Sequence, residues 1–218
     1  FRHLCRDFTQ AIESPRAGAR NPELAAQALL AAQQRAGCMP DSLAYLISHT
    51  ATPAQWLPSG SAEIARLCGH TGAHAELRQA CTGFANALQF AFALTQTPSD
   101  APVGIVGVET GSVFFDPLQL AQPGQWVNFL QMGDGAAAVL LGPDDGGPGP
   151  FISTAYFGQC TNPPAPGLRL CAGASDQVAA GSGANLFEHD ASGVAQHGLF
   201  LLEAGRAVLA EAGFSAAH

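Results

Sequence analysis

The stretch VGIVGVET, Val103 to Thr110, constrains this chain more than any other. It is a nearly continuous apolar run punctuated by small residues, which reads as a closely packed strand covered on both faces. The segments around it agree. NPELAAQALLAAQQRAG (Asn21 to Gly37) carries helix signals: Asn21 as a candidate cap, proline in the first turn, many alanines and leucines, and a closing glycine. SLAYLIS predicts a short strand, SGSAEIARLCG a second helix and AAAVLLG a further strand. The turn-rich PDDGGPGP (Pro143 to Pro150) then leads into the strand-like FISTAYF. Helices alternating with apolar strands predict an α/β layered fold with mainly buried strands.

The segment from Asn162 to Ser192 is rich in Pro, Gly, Ala and Ser and has little periodicity, which predicts a long ordered excursion or a flexible loop. After it, GLFLLEAGRAVLAEAG reads as an amphipathic helix ending at Gly213. With 218 residues, 47% of them hydrophobic and 12% charged, the chain can bury a core in one or two domains. No apolar run has the length of a membrane span, and FRHLCRDFTQ lacks the charged-then-apolar order of a secretory leader, so a soluble, cytoplasmic protein is expected.

The charged residues exclude several classes of chemistry. There is no lysine, so a Schiff-base lysine and a Walker phosphate loop are excluded within this chain. A net charge of −8 argues against a nucleic-acid partner. Arg2, Arg6, Arg16 and Arg20 fit either an anionic ligand or a solvated segment. The six cysteines are scattered with no CxxC pair, and the histidines show no metal-ligand spacing, so reduced thiols and no metal are expected.

Cys81, in LRQACTGFANAL, has two readings. At the start of a helix its sulfur would sit near unpaired backbone N–H groups and the positive end of the dipole, which favours a thiolate. The other reading is a small, inert core residue. His49, in LISHTATP, ends a predicted strand, where a histidine satisfied by backbone partners is one reading.

Neighbouring motifs bear on that choice. QACTGFANAL, VGVETGSVFFDP and MGDGAAAVLLG, in that order and spacing, resemble the β-ketoacyl-ACP synthase III family of the thiolase superfamily. Cys81, Gly83 and Phe84 match the family's A-C-[SAT]-G-F motif, and Glu109 and Thr110 its E-T-x-S-like strand end. Gly133, Asp134, Gly135 and Ala136 match its F-G-D-G-A-x-A turn. The resemblance continues over LAYLISHTATPAQWLPSGSAEIARLCG, FISTAYF and the last helix, and is weakest over Asn162 to Ser192.

This resemblance implies a thiolase-like layered αβαβα fold. Residues 1–150 would form the N-terminal half carrying the nucleophile, and 151–218 the start of an incomplete C-terminal half. Cys81 would hold an acyl group that a malonyl-derived carbanion then displaces, in fatty-acid or polyketide-like biosynthesis. In the family the loop that follows His49 lies near the active site, and this resemblance makes His49 a candidate to assist Cys81. The implied partners are acyl-CoA or acyl-ACP, a malonyl thioester and acyl carrier protein, with a homodimer or a heterodimer with a related subunit; no cofactor is required. Gly133, Asp134 and Gly135 would form an oxyanion or active-site turn, with glycines needing positive φ or close backbone approach. Phe84, Trp56 and Trp126 would line the substrate, Trp126 standing where the family often has an arginine for the CoA moiety.

The family's H-Q-x-N and G-N-[TS]-S motifs, which stabilise the enolate, have no counterpart in the 218 residues. The expectation is therefore a piece of a longer polypeptide that acylates itself but does not condense, with a shortened homologue lacking the condensing half as the other explanation. A non-condensing acyltransferase to an alcohol or amine, and a non-catalytic partner subunit, are the alternatives.

Overall fold

A computed structural model describes residues 20–39, 41–96, 99–114, 126, 128, 130, 133–144, 146–147, 150–152, 167–170 and 188–214. The chain divides into two compact units, one of Phe1–Val113 with Met132–Ser153, the other of Phe114–Gln131 with Thr154–His218.

In the first unit, a four-stranded sheet is built from β1 (Tyr45–His49), β2 (Ala73–Leu77), β3 (Val103–Thr110) and β4 (Asp134–Leu141), in the order β2-β1-β3-β4. The helices are α1 (Asn21–Ala36), α2 (Gly60–Cys68) and α3 (Gly83–Leu94). β1 runs parallel to both β2 and β3, whereas β4 returns antiparallel to β3. The parallel pairs follow from the helical crossovers, α2 between β1 and β2 and α3 between β2 and β3.

Side chains of β1 and β3 alternate between two apolar clusters. On one face Leu46, Val106 and Val108 meet Ala25, Ala26 and Leu29 of α1 and Ile64, Ala65 and Cys68 of α2. On the other, Ile47, Val103 and Ile105 meet Ala87 and Ala91 of α3. Fully burying each leucine or isoleucine contributes about 1.5–3 kcal/mol, so the paired clusters hold the helices to the sheet. VGIVGVET is thus the inner strand expected of it. The expectation of mainly buried strands needs correction at β4, where every second residue from Gly135 to Val139 is exposed. In the sheet formed by the described residues β4 is an edge: its Ala136, Ala138 and Leu140 pack against the α1–α2 side and Leu141 against the α3 side.

Asn21 is not the cap of α1. Arg20 occupies that position, with the Glu23 carboxylate accepting its backbone N–H at 2.7 Å. The side chain of Arg20 pairs with Glu23 at 3.0 Å and Glu63 at 3.3 Å, which gives it intramolecular partners. Asn21 is buried one residue later, and its amide donates to Thr50 Oγ1 (3.2 Å), the Thr52 carbonyl (2.9 Å) and Thr110 Oγ1 (3.5 Å). It ties the start of α1 to the ends of β1 and β3.

In the second unit, β5 (Leu168–Arg169) pairs antiparallel with β6 (Glu188–His189), followed by α4 (Ala191–Glu211). The segment read as a long excursion therefore contains a short strand pair. The last helix begins at Ala191 rather than Gly198, because the Asp190 side chain accepts the Ser192 and Gly193 N–H groups at 3.1 Å each. Residues 126, 128 and 130 are helical, and Asn128 Oδ1 lies 3.2 Å from His189 Nδ1. Phe151 and Ile152 are outside any strand, and the rest of FISTAYF lies outside the described residues. Among the described residues no helix is long and apolar enough to cross a membrane.

Candidate active site

β2 ends at Leu77, and after Arg78 and Gln79 the chain enters a 3-10 turn, Ala80–Thr82, that runs directly into α3. Ala80 has φ 45°, the only non-glycine positive φ among the described residues. An L-residue pays about 1–2 kcal/mol for that conformation, so surrounding contacts must hold it. They do: the Thr82 N–H and Oγ1 both donate to the Gln79 carbonyl, at 3.1 and 2.8 Å, and Asn86 Nδ2 donates to the Thr82 carbonyl at 2.9 Å. Cys81 is exposed at the head of this twelve-residue helix. Its side chain is open to solvent.

His49 lies directly behind the turn. It ends β1 in register with Leu77 of β2 and Gly107 of β3. A Cβ on Gly83 would come within 2.9 Å of its Nδ1, and a Cβ on Gly107 within 2.3 Å of its Nε2. The ring of Phe84 stands 6.1 Å from the imidazole centroid. Burial pushes the His49 pKa down, with Glu109 partly opposing, so the ring favours its neutral form. Its Nδ1 is buried without a hydrogen-bond partner among the described residues.

Glu109 accepts one hydrogen bond on each carboxylate oxygen, from the Ala51 N–H at 2.8 Å and Thr52 Oγ1 at 2.6 Å, while the Thr110 N–H donates to Thr52 Oγ1 at 2.7 Å. These bonds clamp the loop after β1 to the end of β3. Farther along that loop, the Arg78 guanidinium sits 5.0 Å from the Trp56 ring centroid and donates to the Gln55 and Trp56 carbonyls. Trp56 thus has an intramolecular partner on its ring, and the loop is fastened to the segment that leads into Cys81.

The glycine-aspartate-glycine turn is built differently from its expected form. Asp134 opens β4, and its carboxylate accepts both the backbone N–H of Ser112 (3.0 Å) and the Ser112 hydroxyl. Gly133 and Gly135 are outside the left-handed region, and a Cβ on either would meet nothing within 4 Å. The expectation of positive φ or close approach is therefore corrected: strand geometry has already begun at Asp134, and the open side of Gly135 faces away from the packed surface. Trp126 is helical and exposed in the second unit.

The end of β1 and the start of α3 bring His49 and Phe84 together, and Cys81 sits on the turn that leads into α3. The remaining described cysteines differ sharply from Cys81. Cys68 is buried, and desolvation pushes its thiol up to about 11; Cys38 is half-buried. Cys5, Cys160 and Cys171 lie outside the described residues. His70 and His74 have partners in the Ala73 carbonyl and Ser61 Oγ, and among the described residues no cluster of three His, Cys, Asp or Glu could hold a metal. An open cavity of about 450 Å³, lined by Phe92, Leu141, Phe151 and Ile152 among others, lies at the opposite end of α3 from Cys81. Ala80, Gly107 and Ser112 carry no site assignment in the sequence reading, and Asn21 stands there only as a helix cap. Gly107 alone carried a signal, since glycine inside an apolar strand marks close approach by a neighbour.

The family model 3-Oxoacyl-[acyl-carrier-protein (ACP)] synthase III matches residues 75–158. A beta-ketoacyl-[acyl-carrier-protein] synthase III of Cereibacter sphaeroides is 34% identical over 125 residues, 57% of this chain and 37% of that protein. The enzyme of that name from Oleidesulfovibrio alaskensis is 32% identical over 135 residues, 59% of this chain and 38% of that one. The match thus spans less than two fifths of these curated relatives. Among solved structures, the tetronic acid condensing enzyme AbyA1 superposes with a TM-score of 0.73 at 23% identity, covering 89% of this chain and 58% of its own. A 3-oxoacyl-(acyl-carrier-protein) synthase III structure gives a TM-score of 0.74 at 22% identity, covering 93% and 62%. These likenesses establish a thiolase-like α/β fold, of which the chain carries part.

Proposed function

The chain is a relative of the 3-oxoacyl-[acyl-carrier-protein] synthase III family through residues 75–158, and from that premise we propose that Cys81 is the acyl-accepting nucleophile of a condensing enzyme. The observation that carries the reading is the exposed Cys81 on a strained turn at the head of α3, inside the matched segment. The Cys81 thiolate attacks the carbonyl of an acyl thioester, the bond to the donor sulfur breaks, and the released thiolate takes up a proton. A malonyl thioester then loses CO₂, and its carbanion attacks the acyl-Cys81 carbonyl, expelling the Cys81 thiolate with a new carbon–carbon bond.

Acyl-CoA or acyl-ACP as donor, malonyl thioester as extender, acyl carrier protein and a second, related subunit are the partners proposed for the whole protein, acting in the cytoplasm. Phe84, beside Cys81, is the proposed substrate contact with the most support from its position, and Trp56 and Trp126 are proposed with less. Gly133, Asp134 and Gly135 are proposed to act through the fold and not on the Cys81 turn: Asp134 fixes Ser112 in the 3-10 turn that follows β3.

The test is incubation with a panel of acyl thioesters followed by intact mass measurement. One added acyl group, absent in Cys81→Ala, is expected; labelling retained in the variant refutes the assignment. Addition of malonyl thioester to the 218-residue chain is expected to release no ketoacyl product, because positioned donors for the enolate, each contributing a few kcal/mol, have no matching motif in it.

A further inference from the structure

We infer that His49 is a positioning residue for Cys81: its ring is a wedge between the sheet and α3 that sets the placement of the Ala80–Thr82 turn, and Gly83 and Gly107 are the residues that admit it. The inference rests on the reading of Cys81 as the nucleophile.

The contacts define the wedge. A Cβ on Gly107 would lie 2.3 Å from His49 Nε2 and 2.6 Å from Cε1, closer than real side-chain carbons come, so β3 accepts the ring only where it has no side chain. A Cβ on Gly83 would lie 2.9 Å from Nδ1 and 3.1 Å from Cβ and Cγ of the same histidine. Gly83 is buried and opens α3 two residues after Cys81. One ring therefore touches the backbone of the central strand and the backbone of the first helical turn, and any displacement of it moves the base of the nucleophile turn.

The chemistry around the ring favours shape over proton transfer. Nδ1 is buried with no partner among the described residues. The nearby Glu109 carboxylate holds the Ala51 N–H and the Thr52 hydroxyl, one on each oxygen, and among the described residues no hydrogen bond joins it to His49 Nδ1. A base needs an oriented nitrogen aimed at the proton it takes. Here the nitrogen that is buried faces Gly83.

The experiment reads the rate of Cys81 alkylation by iodoacetamide against pH, by peptide mass, in wild type, His49→Ala, Gly107→Ala and the double variant. Each single change is expected to slow alkylation about tenfold without moving its pH midpoint, since small misplacements of a reacting group carry effects of that order or larger. The double variant is expected to be no slower than His49→Ala, because with the ring gone the new Cβ at position 107 no longer meets it. His49→Leu, which refills the space without a nitrogen, is expected to stay within about threefold of wild type. Additive losses, an unchanged rate in His49→Ala, a shifted pH midpoint or a His49→Leu variant as slow as His49→Ala would each overturn the inference. If Gly107→Ala fails to fold, the double variant regains the native circular dichroism spectrum; a double variant that stays unfolded overturns it equally. Alkylation needs no acyl donor, so failure of acyl loading with this pattern intact removes the proposed activity and leaves the wedge standing.

Discussion

Two turns of the first unit, Ala80–Thr82 and the start of β4 at Gly133–Gly135, look equally chemical in sequence, and the structure separates them by who uses their polar atoms. At the first, the local hydrogen bonds run among Gln79, Thr82 and Asn86, and the Cys81 sulfur is left exposed. At the second, both carboxylate oxygens of Asp134 are committed to Ser112, and the glycines border open space. The strain is also one-sided, since Ala80 carries the positive φ and the glycines of the second turn do not. The lesson is that an atom free to react is recognised by what its neighbours leave unspent, and the residue type alone does not reveal that.

The largest expected effect tests the first half of that contrast. In the folded chain Cys81 should alkylate at least about a hundredfold faster than Cys68, because nucleophilicity belongs to the thiolate and burial pushes the Cys68 thiol up to about 11. Peptide-resolved mass spectrometry under native conditions reads both rates at once. Comparable rates would mean that exposure and helix placement do not distinguish these thiols.

Next comes the second half. Asp134→Ala removes the acceptor for two donors of Ser112, a residue that is 1% exposed, and an unsatisfied buried donor costs about 1–3 kcal/mol. Chemical denaturation should show that loss while the alkylation rate of Cys81 in the folded protein stays within about twofold of wild type. A collapse of the alkylation rate with stability intact would instead make Asp134 part of the Cys81 site.

Much of this was legible before any coordinates. VGIVGVET, the two helices flanking SLAYLIS and the helix after Cys81 are dictated by apolar periodicity and glycine stops, which are local signals. β2 was not legible, because AHAEL is a short, partly exposed edge with an alternation too weak to distinguish from a loop. Asn21 was read as a cap since capping is the commonest use of asparagine there; its burial against Thr50, Thr52 and Thr110 depends on strands far along the chain. At the site, the placement of Cys81 just ahead of a helix was legible in LRQACTGFANAL. The His49 contacts with Gly83 and Gly107 were not, because they arise only when β1, β3 and α3 converge.

A smaller effect concerns the two sides of the Cys81 turn. His49 has its pKa lowered mainly by desolvation, so between its folded value and the unfolded value near 6.5 the unfolded chain binds more protons. Its contribution to stability is therefore complete above about pH 6.5 and is lost as pH falls below that value. Melting temperatures of wild type and His49→Leu, compared from pH 7.5 down to pH 5, should diverge on acidification, with wild type falling the more steeply. Parallel curves would show that the ring is not desolvated by its contacts with sheet and helix.

The smallest effect returns to the glycine of the second turn. Gly135 sits in β4 opposite Glu109, outside the left-handed region, with nothing within 4 Å of a Cβ built on it. Glycine in a strand interior weakens it through the entropy of the unfolded chain, and alanine removes part of that penalty without a clash. Gly135→Ala should thus change stability by only a few tenths of a kcal/mol, with a stabilising sign as the expected direction, and leave Cys81 alkylation unaltered. Gly107→Ala is the matched control: the same added methyl, on the neighbouring strand, lands on the His49 ring. If both substitutions behave alike, the difference between the two turns does not lie in the space around their backbones, and Gly135 has to be re-examined as a residue that something closely approaches.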